Sequence, residues 1–295
     1  MKMTTQQPEE ITEVDIRVVY DQALDFTKYT KLRKLRIFCT LIKTLPELPD
    51  TLVELIITDN IHLTSIPKLP LGLESLLITG NNVIQLLELP PQLKILISNS
   101  IAELPELPNS LETLICYGSS LKYLPELPSG LQTLNCRNNY LHRLTEVLPS
   151  SLINIDCSYN NLKYLPQKLP DSLKIIDIRN NVICNLPDLP QNLNTLHCSY
   201  NRIRILPRLP PNLVRLTCYE NRLKYYVRFT GYSGRDQMNS FHYRRHICLC
   251  MRFKEMFMAW LWRVRDTIAR KRYHPDSIRK LLDEGIDIED IELYL

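Results

Sequence analysis

Glycine is scarce in this chain, seven among 295 residues. That excludes the glycine-rich turns with which phosphate loops and dinucleotide sites approach their ligands through bare backbone. No apolar run of roughly eighteen residues occurs, so no stretch reads as a membrane-spanning helix. The opening MKMTTQQPEE lacks the apolar stretch of a secretory signal. There are nine cysteines but no C-x-x-C pair, which leaves the sequence without the usual zinc or redox spacing. These absences set the expectation of an intracellular, cytoplasmic protein with free thiols, no cofactor, no metal and no transmembrane segment.

What is present is a unit of about twenty residues, L-x-x-L-x-[LIC]-x-x-N-x-[LI]-x-x-L-P-x-L-P, recurring from Leu32 to about Phe229. Units open at Leu32, Leu52, Leu73, Leu93, Leu111, Leu131, Leu152, Leu173, Leu193 and Leu213, with spacings of 20, 21, 20, 18, 20, 21, 21, 20 and 20 residues. Self-similarity at that period means stacked units, a solenoid whose core grows linearly with length. Positions one, four and six are apolar, and the alternation around four and six is the period of a short strand. One strand per unit predicts a continuous parallel sheet.

Position nine is Asn in seven of the ten units: Asn60, Asn81, Asn139, Asn160, Asn181, Asn201 and Asn221. An inward amide there can hydrogen-bond the backbone groups that a buried turn leaves unpaired. Two prolines in each Leu-Pro-x-Leu-Pro segment, as in Leu124 to Pro128, exclude a helix and predict an extended or polyproline-like convex side. Cys116, Cys136, Cys157, Cys198 and Cys218 stand at position six, where other units carry Ile57, Ile78 or Ile178, which makes them small buried hydrophobes. Leu87 and Thr145 replace the first proline. The Leu93 unit is two residues short and lacks the Asn, which predicts a local irregularity near Ser98 to Ile101.

The repeats resemble the leucine-rich repeats of bacterial effectors of the YopM and IpaH type, the shortest of their class, which share the L-P-x-L-P half. The resemblance covers the repeats, about two thirds of the chain. It implies an α/β-type solenoid: a right-handed leucine-rich repeat horseshoe with a concave parallel sheet, an extended convex side and, here, a small helical appendage at the C-terminal end. Relatives of the IpaH type that act as ubiquitin ligases carry a large helical domain with a catalytic Cys in a C-x-D setting. Here none of the nine cysteines is followed two positions later by Asp, and about 70 residues follow the repeats, so that chemistry does not carry over.

The expected organisation is a cap over 1–31, the solenoid over 32–229, a linker over 230–248 and a helical region with an acidic tail over 249–295. Within the cap, Glu13 to Tyr29 reads as a strand or a short helix. The net charge of +4 hides a gradient: residues 222–272 carry thirteen basic and three acidic groups, the last 23 residues two and seven. Phe253, Phe257, Trp260, Val264 and Ile268 form an apolar stripe at helical spacing among basic residues. Such a helix caps the repeats, or it binds an anionic membrane, a calmodulin-like groove or nucleic acid through the basic 244–272 region. The stretch Ala269 to Pro275 is also similar to a tail segment at the ends of giant-virus proteins.

Function is expected on the concave face, where positions three, five, seven and eight project. In the first half position five is apolar, with Ile56, Leu77, Ile97 and Ile115. In the second half the face turns polar and aromatic: Asn135, Arg137, Asn154, Asp156, Tyr159, Asp177, Arg179, His197, Tyr200, Arg215 and Tyr219. Tyrosine and arginine interleaved with carboxylates is the composition of a protein interface, and these residues are the candidate partner-binding set. Asp156, Asp177 and His197 come from neighbouring strands but face open water with nothing to shift their pKa values, so a non-catalytic scaffold is expected.

Overall fold

The computed structural model describes residues 8–17, 24–83 and 85–223. The expected linker 230–248 and helical region 249–295 lie outside the described residues, and with them the apolar stripe and the basic 244–272 region. Within the described residues the chain forms one eleven-stranded parallel sheet whose spatial order follows the sequence. The strands are β1 (Glu13–Arg17), β2 (Lys34–Phe38), β3 (Glu54–Thr58), β4 (Ser75–Thr79), β5 (Ile95–Ser98) and β6 (Thr113–Cys116). They continue with β7 (Thr133–Asn135), β8 (Asn154–Asp156), β9 (Ile175–Asp177), β10 (Thr195–His197) and β11 (Arg215–Thr217). Ten of them begin at position three of a unit, and each pairs like position with like position, for example Thr133 with Asn154 and Asn154 with Ile175. The eleventh, β1, lies before the repeats, so the undecided cap segment begins as a strand. Its alternating exposed Glu13, Asp15 and Arg17 put charge on the sheet edge, which discourages further strand addition.

The inward positions follow the repeat. Leu131, Leu134, Cys136 and Leu141 of one unit are 0–1% exposed, as are Leu193, Leu196, Cys198 and Ile203 of another. Burying each such side chain contributes roughly 1.5–3 kcal/mol, and the same column recurs in the neighbouring units. No helix occurs between residues 24 and 223 among the described residues. Instead the second proline closes a tight turn: the backbone N–H of each unit's first Leu donates to the carbonyl three residues earlier, as in Leu131 to Pro128 at 3.1 Å and Leu152 to Pro149 at 3.1 Å. The residue before that Leu adds a bond between units where it carries a hydroxyl. Ser151 Oγ donates to the Leu131 carbonyl at 2.6 Å and Ser172 Oγ to that of Leu152 at 2.7 Å.

The asparagines do what their position predicts. Each Nδ2 reaches the position-six carbonyl of the preceding unit, for example Asn139 to Cys116 at 2.7 Å and Asn160 to Cys136 at 2.9 Å. The Oδ1 of each accepts a backbone N–H from that same unit: Leu141 to Asn160 at 2.9 Å, Leu162 to Asn181 at 2.8 Å. Two of the four polar valences of a turn are thus met across a unit boundary, which couples neighbours as well as solvating the turn. On the far side of the turn a second ladder runs parallel to the sheet. Position ten donates to the position-eleven carbonyl of the unit before, as in Tyr140 to Leu121, Asn161 to Leu141 and Arg202 to Ile183, each at 2.9 Å.

The short Leu93 unit keeps its strand, and β5 pairs on both sides, so the sheet stays continuous. The irregularity falls in the turns. The hydroxyls of Ser98, the last residue of β5, and of Ser100 and Ser119 in the turns are buried without hydrogen-bond partners, where Ile101 and Ser119 stand in place of the amide. Leu87, in place of a proline, is 83% exposed, which explains why that site tolerates an exchange.

Candidate protein-interaction surface

Strand length changes along the sheet, and the cause is visible in the sequence. Strands β2 to β4 run from position three to position seven, whereas β7 to β11 stop at five. In three of those units position five is Asn or Asp, and its side-chain oxygen takes the position-seven N–H: Arg137 to Asn135 at 3.1 Å, Ser158 to Asp156 at 2.9 Å and Arg179 to Asp177 at 3.1 Å. A side chain that captures the next-but-one N–H turns the backbone out of the strand. The backbone then enters the left-handed region at position eight in nine units: Cys39, Asp59, Gly80, Gly118, Asn138, Tyr159, Asn180, Tyr200 and Glu220, with φ between 48° and 66°. Sequence reasoning treated position eight as one more strand position. The signal was present, since Asp, Asn and Gly are the residues that tolerate this conformation.

The predicted partner-binding residues fall into three groups. Arg137, Tyr159, Tyr200, Arg215 and Tyr219 are exposed, and Asn135, Asn154, Asp156, Arg179 and His197 are half-buried. Asp177 departs from expectation: it is 6% exposed. Arg179 folds back over it, with Nε donating to both carboxylate oxygens at 3.0 Å and Nη2 to Oδ2 at 2.6 Å. Position seven also departs where it is serine. Ser158 and Ser199 are 0% exposed, and Ser158 Oγ donates to Asp156 Oδ1 at 2.6 Å. A chain turning into the left-handed region at position eight draws a short position-seven side chain under the turn, whereas Arg137 and Tyr219 are long enough to emerge.

The aromatic groups lie in pairs. Arg137 places its guanidinium 5.0 Å from the Tyr159 ring centroid. The rings of Tyr200 and Tyr219 meet edge to face, centroids 5.2 Å apart and planes at 84°. His197 Nδ1 lies 2.9 Å from Thr217 Oγ1. Burial pushes the His197 pKa down, and Arg179 and Arg215 add to this against the opposing pull of Asp177. The expectation that nothing perturbs this cluster is therefore corrected. Beside His197, Asp177 is ion-paired with Arg179, and Asp156 Oδ1 accepts from the Ser158 N–H and hydroxyl. Inside the core, Cys136 and Cys157 sit with Sγ atoms 3.2 Å apart. The hydrogen bond to Cys136, then burial, hold the Cys157 thiol well above its ordinary range, and burial alone does most of this for Cys116. These thiols are inert packing groups. Among the described residues no three side chains of metal-ligating type converge, and no helix is long and apolar enough to cross a membrane.

No protein-family model matches the chain, and no curated protein does. Among solved structures, YopM from Yersinia enterocolitica is 28% identical over 74% of this chain and 57% of its own length, with a TM-score of 0.55. A Shigella effector leucine-rich repeat domain is 35% identical over 43% of this chain and 58% of its own, with a TM-score of 0.40. YopM from Yersinia pestis is 26% identical over 74% of this chain and 86% of its own, at 0.35. The chain spans less than two thirds of the length of the first two of these structures.

Proposed function

We propose that this chain, a leucine-rich repeat protein resembling YopM, is a non-catalytic scaffold that captures a partner protein on the sheet face of its last five units. The observation that carries the reading is the backbone at Tyr159 and Tyr200, with φ of 56° and 55°. Equivalent units place Asn138, Asn180, Gly80 and Gly118 there, which adopt this conformation at little cost. A bulky side chain held in the left-handed region costs about 1 kcal/mol or more, and strain of that kind is retained where it serves a site. Both rings are nearly half exposed, at 45% and 49%, which leaves much of each ring for a partner to cover. They stand beside Arg137, Arg215 and Tyr219, the side chains that bury large area in an interface while still offering polar groups. Neither Arg137 nor Arg215 is in an ion pair among the described residues, which leaves both for carboxylates of a partner.

The test is affinity capture from cell lysate with the wild-type chain and with Tyr159→Asn/Tyr200→Asn, quantified by mass spectrometry. Asparagine relieves about 1 kcal/mol of strain at each site, which offsets the roughly 0.5–1.5 kcal/mol lost with each ring contact. Stability should stay nearly constant while a defined set of captured proteins disappears. An unchanged capture profile would refute the assignment of this face.

A further inference from the structure

A second surface lies on the opposite side of the turn, and its chemistry differs from that of the sheet face. The ladder that joins position ten to position eleven of the preceding unit holds positions ten to thirteen of the last six units in register, with N···O distances of 2.9–3.0 Å from Tyr140 through Arg222. Position eleven faces the core, and the side chains at positions ten, twelve and thirteen stack unit upon unit into a ridge, one unit per strand spacing of about 4.8 Å. Among the described residues six of them are cations, Lys122, Arg143, Lys163, Arg202, Arg204 and Arg222, all exposed. No Asp or Glu occurs at positions ten to thirteen of these units, and none of the six cations is in an ion pair among the described residues. The acids flanking these positions are Glu126, Glu146 and Asp188 at position sixteen, and Glu220 at position eight, two residues before Arg222.

Tyrosine is interleaved with these charges. Tyr123 follows Lys122 and Tyr164 follows Lys163 at the same two positions of alternate units, and Tyr140 stands at position ten of the unit between them. The three rings are 54–56% exposed. Standing outward from the turn, the rings leave their faces open. Open ring faces alternating with unpaired cations along one dimension match an unstacked polyanion, whose bases stack on aromatic rings while its phosphates replace small counterions. A duplex keeps its bases stacked on one another and cannot use the rings.

We infer that the ridge from Lys122 to Arg222 binds single-stranded nucleic acid, with Lys122, Arg143, Lys163 and Arg204 on phosphates and Tyr123 and Tyr164 under bases. This surface is separate from the sheet face and stands whether or not that face captures a protein.

The experiment uses the full chain and fluorescently labelled oligouridylate and oligothymidylate of about twelve nucleotides, within the range of single-strand site sizes. Anisotropy is followed between roughly 50 and 200 mM salt. Lys122→Gln/Arg143→Gln/Lys163→Gln/Arg204→Gln should weaken binding at least about 100-fold at low salt and flatten the log–log salt slope by roughly 0.7 per cation removed. Tyr123→Ala and Tyr164→Ala should each weaken binding about tenfold and leave the slope unchanged. All six side chains are exposed, so circular dichroism should not change, and the tyrosine variants remain informative if the charge variant fails to fold. Retention of wild-type affinity and slope by both variants would place any binding elsewhere in the chain and overturn the inference. So would an absence of binding by the wild type, or equal competition by a polyglutamate peptide, which would make the ridge a site for acidic protein.

Discussion

Replacing Asn160 by alanine tests the physical basis of the stack. Its Nδ2 donates to the carbonyls of Cys136, Cys157 and Ser158 at 2.9, 3.1 and 3.2 Å, and its Oδ1 accepts from Leu141 N at 2.9 Å. The losses are unequal. The Cys136 carbonyl keeps Asn139 Nδ2 and the Cys157 carbonyl keeps Asn181 Nδ2. Leu141 N–H keeps nothing, and Leu141 is 0% exposed. One buried orphan donor costs about 1–3 kcal/mol, and the void left by the amide adds about 1 kcal/mol. Asn160→Ala should therefore destabilise by roughly 2–4 kcal/mol, and Asn221→Ala, whose amide is only partly buried and open to water, by about 1 kcal/mol or less. Asn160→Asp should be worse still at neutral pH, because a carboxylate cannot donate to three carbonyls. Its folded pKa would be raised by burial, so the folded state binds more protons than the unfolded one, and the charge penalty should fade as pH falls from the raised folded pKa toward the ordinary carboxylate range and be absent below it. Urea unfolding followed by circular dichroism gives the totals, and hydrogen exchange at the Leu141 amide gives the mechanism. Equal costs at Asn160 and Asn221, or full protection of the Leu141 amide in Asn160→Ala, would refute the reasoning.

Two further outcomes follow from the turn and the core. Gly80 and Gly118 share left-handed φ of 66° and 60°, but a methyl on Gly80 would collide with Asp59 Oδ1 and crowd its backbone, whereas at Gly118 the nearest atom is Asn138 Nδ2 at 3.8 Å. Gly118→Ala should cost about 1 kcal/mol for conformation alone, with Gly80→Ala clearly more costly, and equal melting temperatures for the two variants would argue against the turn geometry. Site-resolved maleimide labelling of the native protein should modify exposed Cys39 and Cys184 well before Cys116, Cys136 and Cys157, whose buried sulfurs the reagent cannot reach; comparable rates would mean position six does not face the core.

The chain of residues alone determined the period, the inward positions and the extended return. A repeat of twenty residues with apolar positions one, four and six can bury them only by stacking, prolines at fifteen and eighteen forbid a helix, and an inward Asn amide meets the polar groups of a buried turn; each of these is a local necessity repeated in most of the ten units. The resemblance to YopM-type repeats rests on the same local pattern. What only the tertiary structure decided concerns neighbours about twenty residues apart in sequence. Alternation along a strand says that position five projects from the sheet, and for Asn135 and Asp156 it does. It could not say that Arg179 would fold back over Asp177 and bury it, or that Thr217 and two arginines would surround His197. Nor could strand alternation survive to position eight, because the backbone turns left-handed there whether position five is an Asx that takes the N–H at seven, as Asp156 does, or His197. That turn buries Ser158 and Ser199 and leaves Tyr159 and Tyr200 strained at the surface. The ridge of cations was hidden for the same reason: Lys122, Arg143, Lys163 and Arg204 are scattered in the sequence, and only the stacking of one unit on the next brings them into line.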